Sequence, residues 1–411
     1  SEVLRVKFRL GLFDQPYVAD TKAADRVGGA DRNMDFVKQM QQQALVLLKN
    51  ENNILPLDKR QIKKVLVTGP LADEDNFMTS RYGPNGLETV TVLAGLRNYL
   101  KGIAEVDYAK GCDIVDAGWP ATEILPAPMS EQEKQGIAEA VAKAGESDVI
   151  IAVLGEDEYR TGESRSRTSL DLPGRQQQLL EALHATGKPV ILVLINGQPL
   201  TVNWANAYIP AILESWFPGC QGGTVIAETL FGEHNPGGKL TVTFPKSVGQ
   251  IELNFPFKPG SHGAQPHSGP NGSGATRVIG ELYPFGFGLS YTTFAYSDLE
   301  VSPLQQHNTQ GEYTIKVNVT NTGKRAGDEV VQLYVRDKVS SVITYDSQLR
   351  GFERVSLQPG ETRQVTFSLK PEDLQILDRN MNWTVEPGEF EVMIGASSQD
   401  IRLKKTITAL P

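Results

Sequence analysis

The chain of 411 residues carries 40 Lys and Arg against 49 Asp and Glu, a formal charge of −9, and 40 % of its residues are apolar. That length is more than one hydrophobic core fills and points to two or three domains. The acidic balance, with no basic tract, speaks against nucleic acid and anionic membranes as partners, and no apolar run reaches the ~20 residues of a membrane-spanning helix.

The opening stretch "SEVLRVKFRLGLFDQPYV" has no apolar core followed by a small-residue cleavage site. It reads as the tail of a helix with a Pro-containing exit, and residues 1–33 are expected to be a linker. Phe36, Val37, Met40, Ala44, Leu47 and Leu48 then recur at spacings of three and four, the stripe of a half-buried helix. "KKVLVTGP" (63–70) reads as a short buried strand closed by a turn, and "TVLAGLRNYLKG" (91–102) as a helix stopped by Gly102.

A second strand is expected near 105–109. "SEQEKQGIAEAVAKAGES" (130–147) begins with a capping box, Ser130 and Glu133. "DVIIAVLGE" (148–156) is the third strand, and "PGRQQQLLEALHATG" (173–187) the next helix. "KPVILVLING" (188–197) and "PAILESWFPG" (210–219) supply the fourth and fifth strands. Continuous apolar strands separated by helices, over residues 34–250, predict a mostly parallel α/β sheet covered on both faces. Functional residues in such sheets lie beyond the carboxyl ends of the strands.

Residues 258–275 are rich in Gly, Pro and Ser and predict a surface loop, so His262 and His267 read as solvated histidines and not as metal ligands. Residues 251–291 are taken together as a connector. From 292 to 411, "EYTIKVNVTNTG", "GDEVVQLYVRD", "TRQVTFSLKP" and "GEFEVMIGAS" alternate apolar and polar residues between turn signals. About seven such strands predict an all-β fibronectin-like or immunoglobulin-like sandwich. Cys112 and Cys220 fit no zinc or redox spacing and read as buried thiols.

One stretch breaks the burial pattern. "RTGESRSRTSL" (160–170) follows a buried strand and sets Glu163 among Arg160, Arg165 and Arg167. Taken by itself, a Glu in such a loop is a surface ion-pair residue. "VTGPLADEDN" (67–76) lacks any phosphate-loop pattern and reads as a strand-end turn; Asp73 and Asp75 are too common a pair to mark a cation site. "INGQPL" (195–200) puts Asn196 and Gln198 at another strand end. Trp119, Trp204 and Trp216 could stack on sugars, but burial is the default for tryptophan, and Trp119 is the least core-like.

Six stretches, in order, resemble family 3 glycoside hydrolases of the bacterial β-glucosidase type: "ALVLLKNENNILPL", "VTGPLAD", "SDVIIAVLGE", "ESWFPGCQGGTVIAETLFGEHNPGGKLTVTFPKSVGQ", "LYPFGFGLSYTTF" and "VTNTGKRAGDEVVQLYVRD". The resemblance implies an α/β sandwich domain followed by a fibronectin type III-like domain. It also implies an N-terminal (β/α)8-type barrel carrying the nucleophilic aspartate, with residues 1–33 as the linker after it. These 411 residues are expected to lack that barrel and so to be inactive alone. In this family the α/β domain lends the barrel a loop with the general acid/base, often Gly-Glu followed by Arg, and "TGESRSR" matches at Gly162, Glu163 and Arg167.

The implied function is retaining, exo-acting hydrolysis of terminal β-D-glycosyl residues, with no cofactor and no metal. Arg160, Arg165, Arg167 and Asn196 are expected to bind substrate or support the loop, the arginines turning toward Glu156, Asp157 or Glu158, since a guanidinium against the acid would hold it ionised. The face around 155–168 and 196–199 is expected to be apolar or mobile where a barrel would meet it. Expected partners are a β-linked oligosaccharide or glycoside, the barrel and, as an allowed assembly, a second copy in a homodimer. The expected location is periplasmic or secreted. The alternative is a non-catalytic carbohydrate-binding or scaffolding module.

Overall fold

A computed structural model describes the chain except residues 18–19, 84–87, 251–253, 259–277 and 308–310. It divides into two units, Ser1–Met40 and Gln41–Pro411. In the first, α1 (Glu2–Arg9) and α2 (Ala23–Gly28) precede the start of α3 (Asp31–Ala44), so the expected linker contains two helices and the start of a third. Glu2 in the first turn of α1 and Lys7 and Arg9 in its last complement the helix dipole.

The second unit begins with a six-stranded sheet built from β1 (Val46–Asn50), β2 (Lys64–Thr68), β3 (Glu105–Ala109), β4 (Val149–Gly155), β5 (Val190–Ile195) and β6 (Ala211–Glu214). The spatial order is β1-β6-β5-β4-β2-β3, parallel except for β1, which pairs antiparallel with β6. In β4, Val149, Ile151 and Val153 join the core on one face, Ile150, Ala152 and Leu154 the core on the other. Both faces are thus apolar, as the unbroken run "VIIAVL" predicts.

Helices α4 (Val92–Tyr99) and α8 (Gly222–Leu230) cover the first face, and α5 (Glu131–Gly145), α6 (Gln176–His184) and α7 (Asn203–Tyr208) the second. The Ser130–Glu133 capping box opens α5 as expected. Two readings need correction. The helical stripe stops at Ala44, and Leu47 and Leu48 lie in β1, an edge strand. Helix α8 was unread because it opens with Gly222 and Gly223, poor helix formers; a Cβ on Gly223 would lie 1.9 Å from the Thr91 carbonyl oxygen.

Beyond residue 292, β7 (Phe294–Ser302), β8 (Gln305–His307), β9 (Tyr313–Asn321), β10 (Gly327–Asp337), β11 (Gln348–Leu357) and β12 (Thr362–Leu369) are followed by the short α9 (Pro371–Leu374). A two-residue ladder, β13 (Ile376–Leu377) with β14 (Trp383–Thr384), precedes β15 (Gly388–Gly395) and β16 (Ile401–Leu410). They form a five-stranded sheet, β11-β10-β15-β16-β8, and a three-stranded one, β12-β9-β7. Alternate residues of β9, Tyr313, Ile315, Val317 and Val319, are buried in a single core, the signature of a sandwich. His262 and His267 lie outside the described residues.

Candidate active site

Strand β4 ends at Gly155, where φ is +140° and a Cβ would lie 1.9 Å from the Ile195 carbonyl oxygen, so only glycine fits. The side-chain amide of Gln176 donates to the Gly155 carbonyl at 2.9 Å and accepts its N–H at 2.8 Å, tying the strand end to the start of α6. The loop that carries Glu163 leaves from this fixed point.

Its first residue, Glu156, is fully buried. Oε1 accepts from Gln198 Nε2 at 2.8 Å and from Nη1 of Arg167. Arg167 also donates Nε–H to Oε1 of Glu123 at 2.7 Å and Nη2–H to the Asp171 carbonyl at 2.9 Å. Glu123 comes from the turn Ala121–Glu123, and its other oxygen accepts the N–H and hydroxyl of Thr168 at 3.1 and 2.8 Å. Burial pushes Glu156 up to about 7 against the pull of Arg167. Burial also raises Glu123, but hydrogen bonds from Thr168 and Trp119 outweigh it and hold that carboxyl below its usual range.

Asp157, 2 % exposed, accepts the Tyr159 N–H at 3.0 Å and pairs with Nη1 of Arg160. The Arg160 guanidinium lies 4.6 Å from the ring centroid of Trp119, a cation–π arrangement. Trp119 in turn donates its indole N–H to Glu123 at 3.0 Å. Arg160 and Arg167 therefore turn to the carboxylates at the loop's base, as expected, with Glu123 an added partner.

The tip is open. Glu163 and Arg165 are exposed, and no hydrogen bond reaches the Arg165 guanidinium among the described residues. The backbone at the tip is nevertheless pinned: the Glu163 N–H donates to the Tyr82 hydroxyl at 2.7 Å, and Arg81 Nη1 donates to the Glu163 carbonyl at 2.7 Å. Gly162 and Ser164 flank Glu163 with φ of +106° and +62°, so the chain turns sharply on either side of it.

Asn196, at the end of β5, is buried; its Nδ2 donates to the Gln198 carbonyl at 2.7 Å, a loop-supporting bond. Glu214, at the end of β6, lies in the expected fifth strand and is not among the expected site residues. It is fully buried, accepts the Trp216 N–H at 2.7 Å, and burial pushes it up to about 8. Glu156 Oε2, Asn196 Oδ1 and Glu214 Oε2 are buried with no hydrogen-bond partner among the described residues. The two glutamate oxygens, left with no donor, fit carboxyl groups that keep their protons.

The expected uncovered face is found only in part. Glu156, Asp157 and Asn196 are covered by this chain's own segments, whereas Tyr82, Tyr159 and the tip at 162–165 are exposed. Trp204 packs among His184 and Tyr208, and Trp216 against Phe244. Cys112 and Cys220 are buried free thiols. Among the described residues no cluster of His, Cys, Asp and Glu could hold a metal ion, and no helix is long and apolar enough to cross a membrane.

Residues 45–291 match the glycosyl hydrolase family 3 C-terminal domain, and residues 329–398 a fibronectin type III-like domain. The chain is 41 % identical, over 98 % of its length, to a β-xylosidase of Formosa agariphila. It is 39 % identical, over 97 %, to a periplasmic β-glucosidase of Salmonella typhimurium. It spans about half of either relative, 54 %. A solved β-glucosidase of Erythrobacter marinus superposes with a TM-score of 0.84 at 37 % identity, over 99 % of this chain and 54 % of that one. A β-glucosidase of Listeria innocua in complex with isofagomine gives 0.86 at 29 % identity, over 99 % and 54 %.

Proposed function

The chain belongs to glycosyl hydrolase family 3, and from that membership we propose that it is the part of a retaining, exo-acting β-glycosidase that supplies the general acid/base, Glu163. Retaining glycosidases place two carboxyl groups about 5–5.5 Å apart, one as nucleophile and one as proton donor. The donor must reach out to a leaving group, give up its proton, and then take one from water.

One observation carries the assignment. Glu163 is the exposed carboxylate at the tip of a strand-end loop whose base is tied down, and two of the loop's arginines are bound to other acids. These two guanidinium groups, which beside an acid would lock it in its ionised form, are thereby turned away from it. Arg160, Arg167 and Asn196 support the loop. The nucleophile and most sugar contacts are assigned to the half of the enzyme that the longer relatives possess. β-Glucosides are the first substrates to test, and the Formosa relative makes β-xylosides the second. A periplasmic or secreted location belongs to the same reading, supported by the name of the Salmonella relative.

The test is reconstitution. The purified chain should not hydrolyse aryl β-glucosides, holding one of the two carboxyl groups required, and should do so once joined to a family 3 barrel. Hydrolysis by the 411-residue chain alone overturns this division of labour. Silence in the joined enzyme favours the non-catalytic module.

A further inference from the structure

Arg167 follows Glu163 by four residues, yet its side chain is only 6 % exposed, its donors spent on this chain's own acceptors. Its three donor groups bind three separate segments: Glu123 in the turn before α5, Glu156 at the end of β4, and the Asp171 carbonyl in the limb returning to α6. That limb is itself anchored, since Thr201 donates its N–H to the Leu170 carbonyl at 2.9 Å and its hydroxyl to Asp171. The tip, by contrast, is held to another segment of the described chain by two bonds, one from Arg81 to the Glu163 carbonyl and one from the Glu163 N–H to the Tyr82 hydroxyl.

We propose that Arg167 is the positioning residue of the Glu163 loop, fixing it by clamping the Ala121–Glu123 turn to the end of β4 through Glu123 and Glu156. The proposal rests on the reading of Glu163 given above. The guanidinium suits the task because its planar fork presents donors in fixed directions, whereas a lysine ammonium is a single point that cannot serve all three acceptors. Glu123 adds the reach: it also holds Thr168, the next residue of the loop, and the indole N–H of Trp119, on which Arg160 lies. One side chain thereby links both limbs of the loop to the sheet.

The test uses Arg167→Lys and Arg167→Met, with Glu156→Gln as a gentler variant that keeps the shape and an acceptor for Arg167. In the 411-residue chain, amide hydrogen exchange across 158–166 should quicken by about tenfold in Arg167→Met, while β4 and α5 stay protected. In the enzyme joined to its barrel, Arg167→Lys should lower kcat on poor leaving groups by about 10- to 100-fold with KM within about twofold. Dinitrophenyl glycosides should be nearly unaffected in the first step. The double variant Glu163→Gln/Arg167→Lys should be no slower than Glu163→Gln alone, because once the titrating group is gone its positioning has nothing left to act on.

Unchanged exchange, an equal loss on both leaving groups, or additive losses in the double variant would each overturn the clamp. If Glu163→Gln itself shows no leaving-group dependence, the acid/base reading fails instead, and the exchange result still decides the clamp.

Discussion

The Tyr82 hydroxyl accepts the backbone N–H of Glu163 at 2.7 Å, joining the loop tip to a turn 81 residues earlier in the chain. Removing that acceptor in Tyr82→Phe should cost about 1 kcal/mol or less in global stability, because both groups lie at the exposed end of the loop. Activity should suffer more than stability. In the joined enzyme, kcat on poor leaving groups is expected to fall by about 3- to 10-fold, with dinitrophenyl substrates nearly unchanged. Comparing the two leaving groups checks it; an equal loss would mean that Tyr82 acts on the sugar directly.

At the Arg160–Asp157 pair, stability is the first quantity that should respond. Arg160→Met leaves Asp157, 2 % exposed, without its cation. Breaking a buried pair from one side costs about 3 kcal/mol. Adding Asp157→Asn should restore much of the loss, since the unpaired charge is then gone. Urea unfolding of the single and double variants measures both effects. A single-variant cost below about 1 kcal/mol would show that water already reaches Asp157.

The two buried glutamates set the pH dependence of stability. Burial pushes Glu156 up to about 7 and Glu214 up to about 8, both above the unfolded value of about 4.3. Between those limits the folded state holds the extra protons, so stability is greatest on the acid side and declines as pH rises through the folded values. Below pH 6.5 buried His234, held under its ordinary value by desolvation, works in the opposite direction. The clean window is therefore pH 6.5 to 8, where urea unfolding should show a loss of about 2 kcal/mol. Glu214→Gln should remove the larger share of that decline. A flat or rising profile over this window would contradict the protonated pair.

Much of the fold was legible because both faces of the sheet are buried. Strands β2, β4 and β5 are runs too apolar and too short to be anything but central strands. Strand β1 was hidden for the same reason, since "VLL" right after a helical stripe keeps the spacing that a helix would show. At the site, Glu163, Arg160 and Arg167 could be picked out as a cluster of charge in a short span. Their partners could not: Glu123 lies 44 residues before Arg167, in a stretch with no periodicity, and only the fold brings them together. Glu214 did carry a signal, a carboxylate inside the apolar run "PAILESW", which is costly unless the group is neutral or paired.

The central claim, that Glu163 is the proton donor and later the base, is tested most directly by leaving-group dependence and azide rescue in the joined enzyme. Glu163→Gln keeps the shape but cannot titrate, so glycosides with poor leaving groups should slow by about 10²–10⁴-fold. Dinitrophenyl glycosides, which depart without a proton, should lose far less in the first step. In Glu163→Ala, added azide should restore turnover and yield a β-glycosyl azide, because it attacks the glycosyl-enzyme without a base. Glu156→Gln and Glu158→Gln should give no azide adduct. Near-normal rates of the Glu163 variants on poor leaving groups, or azide rescue at Glu158→Ala instead, would contradict the assignment.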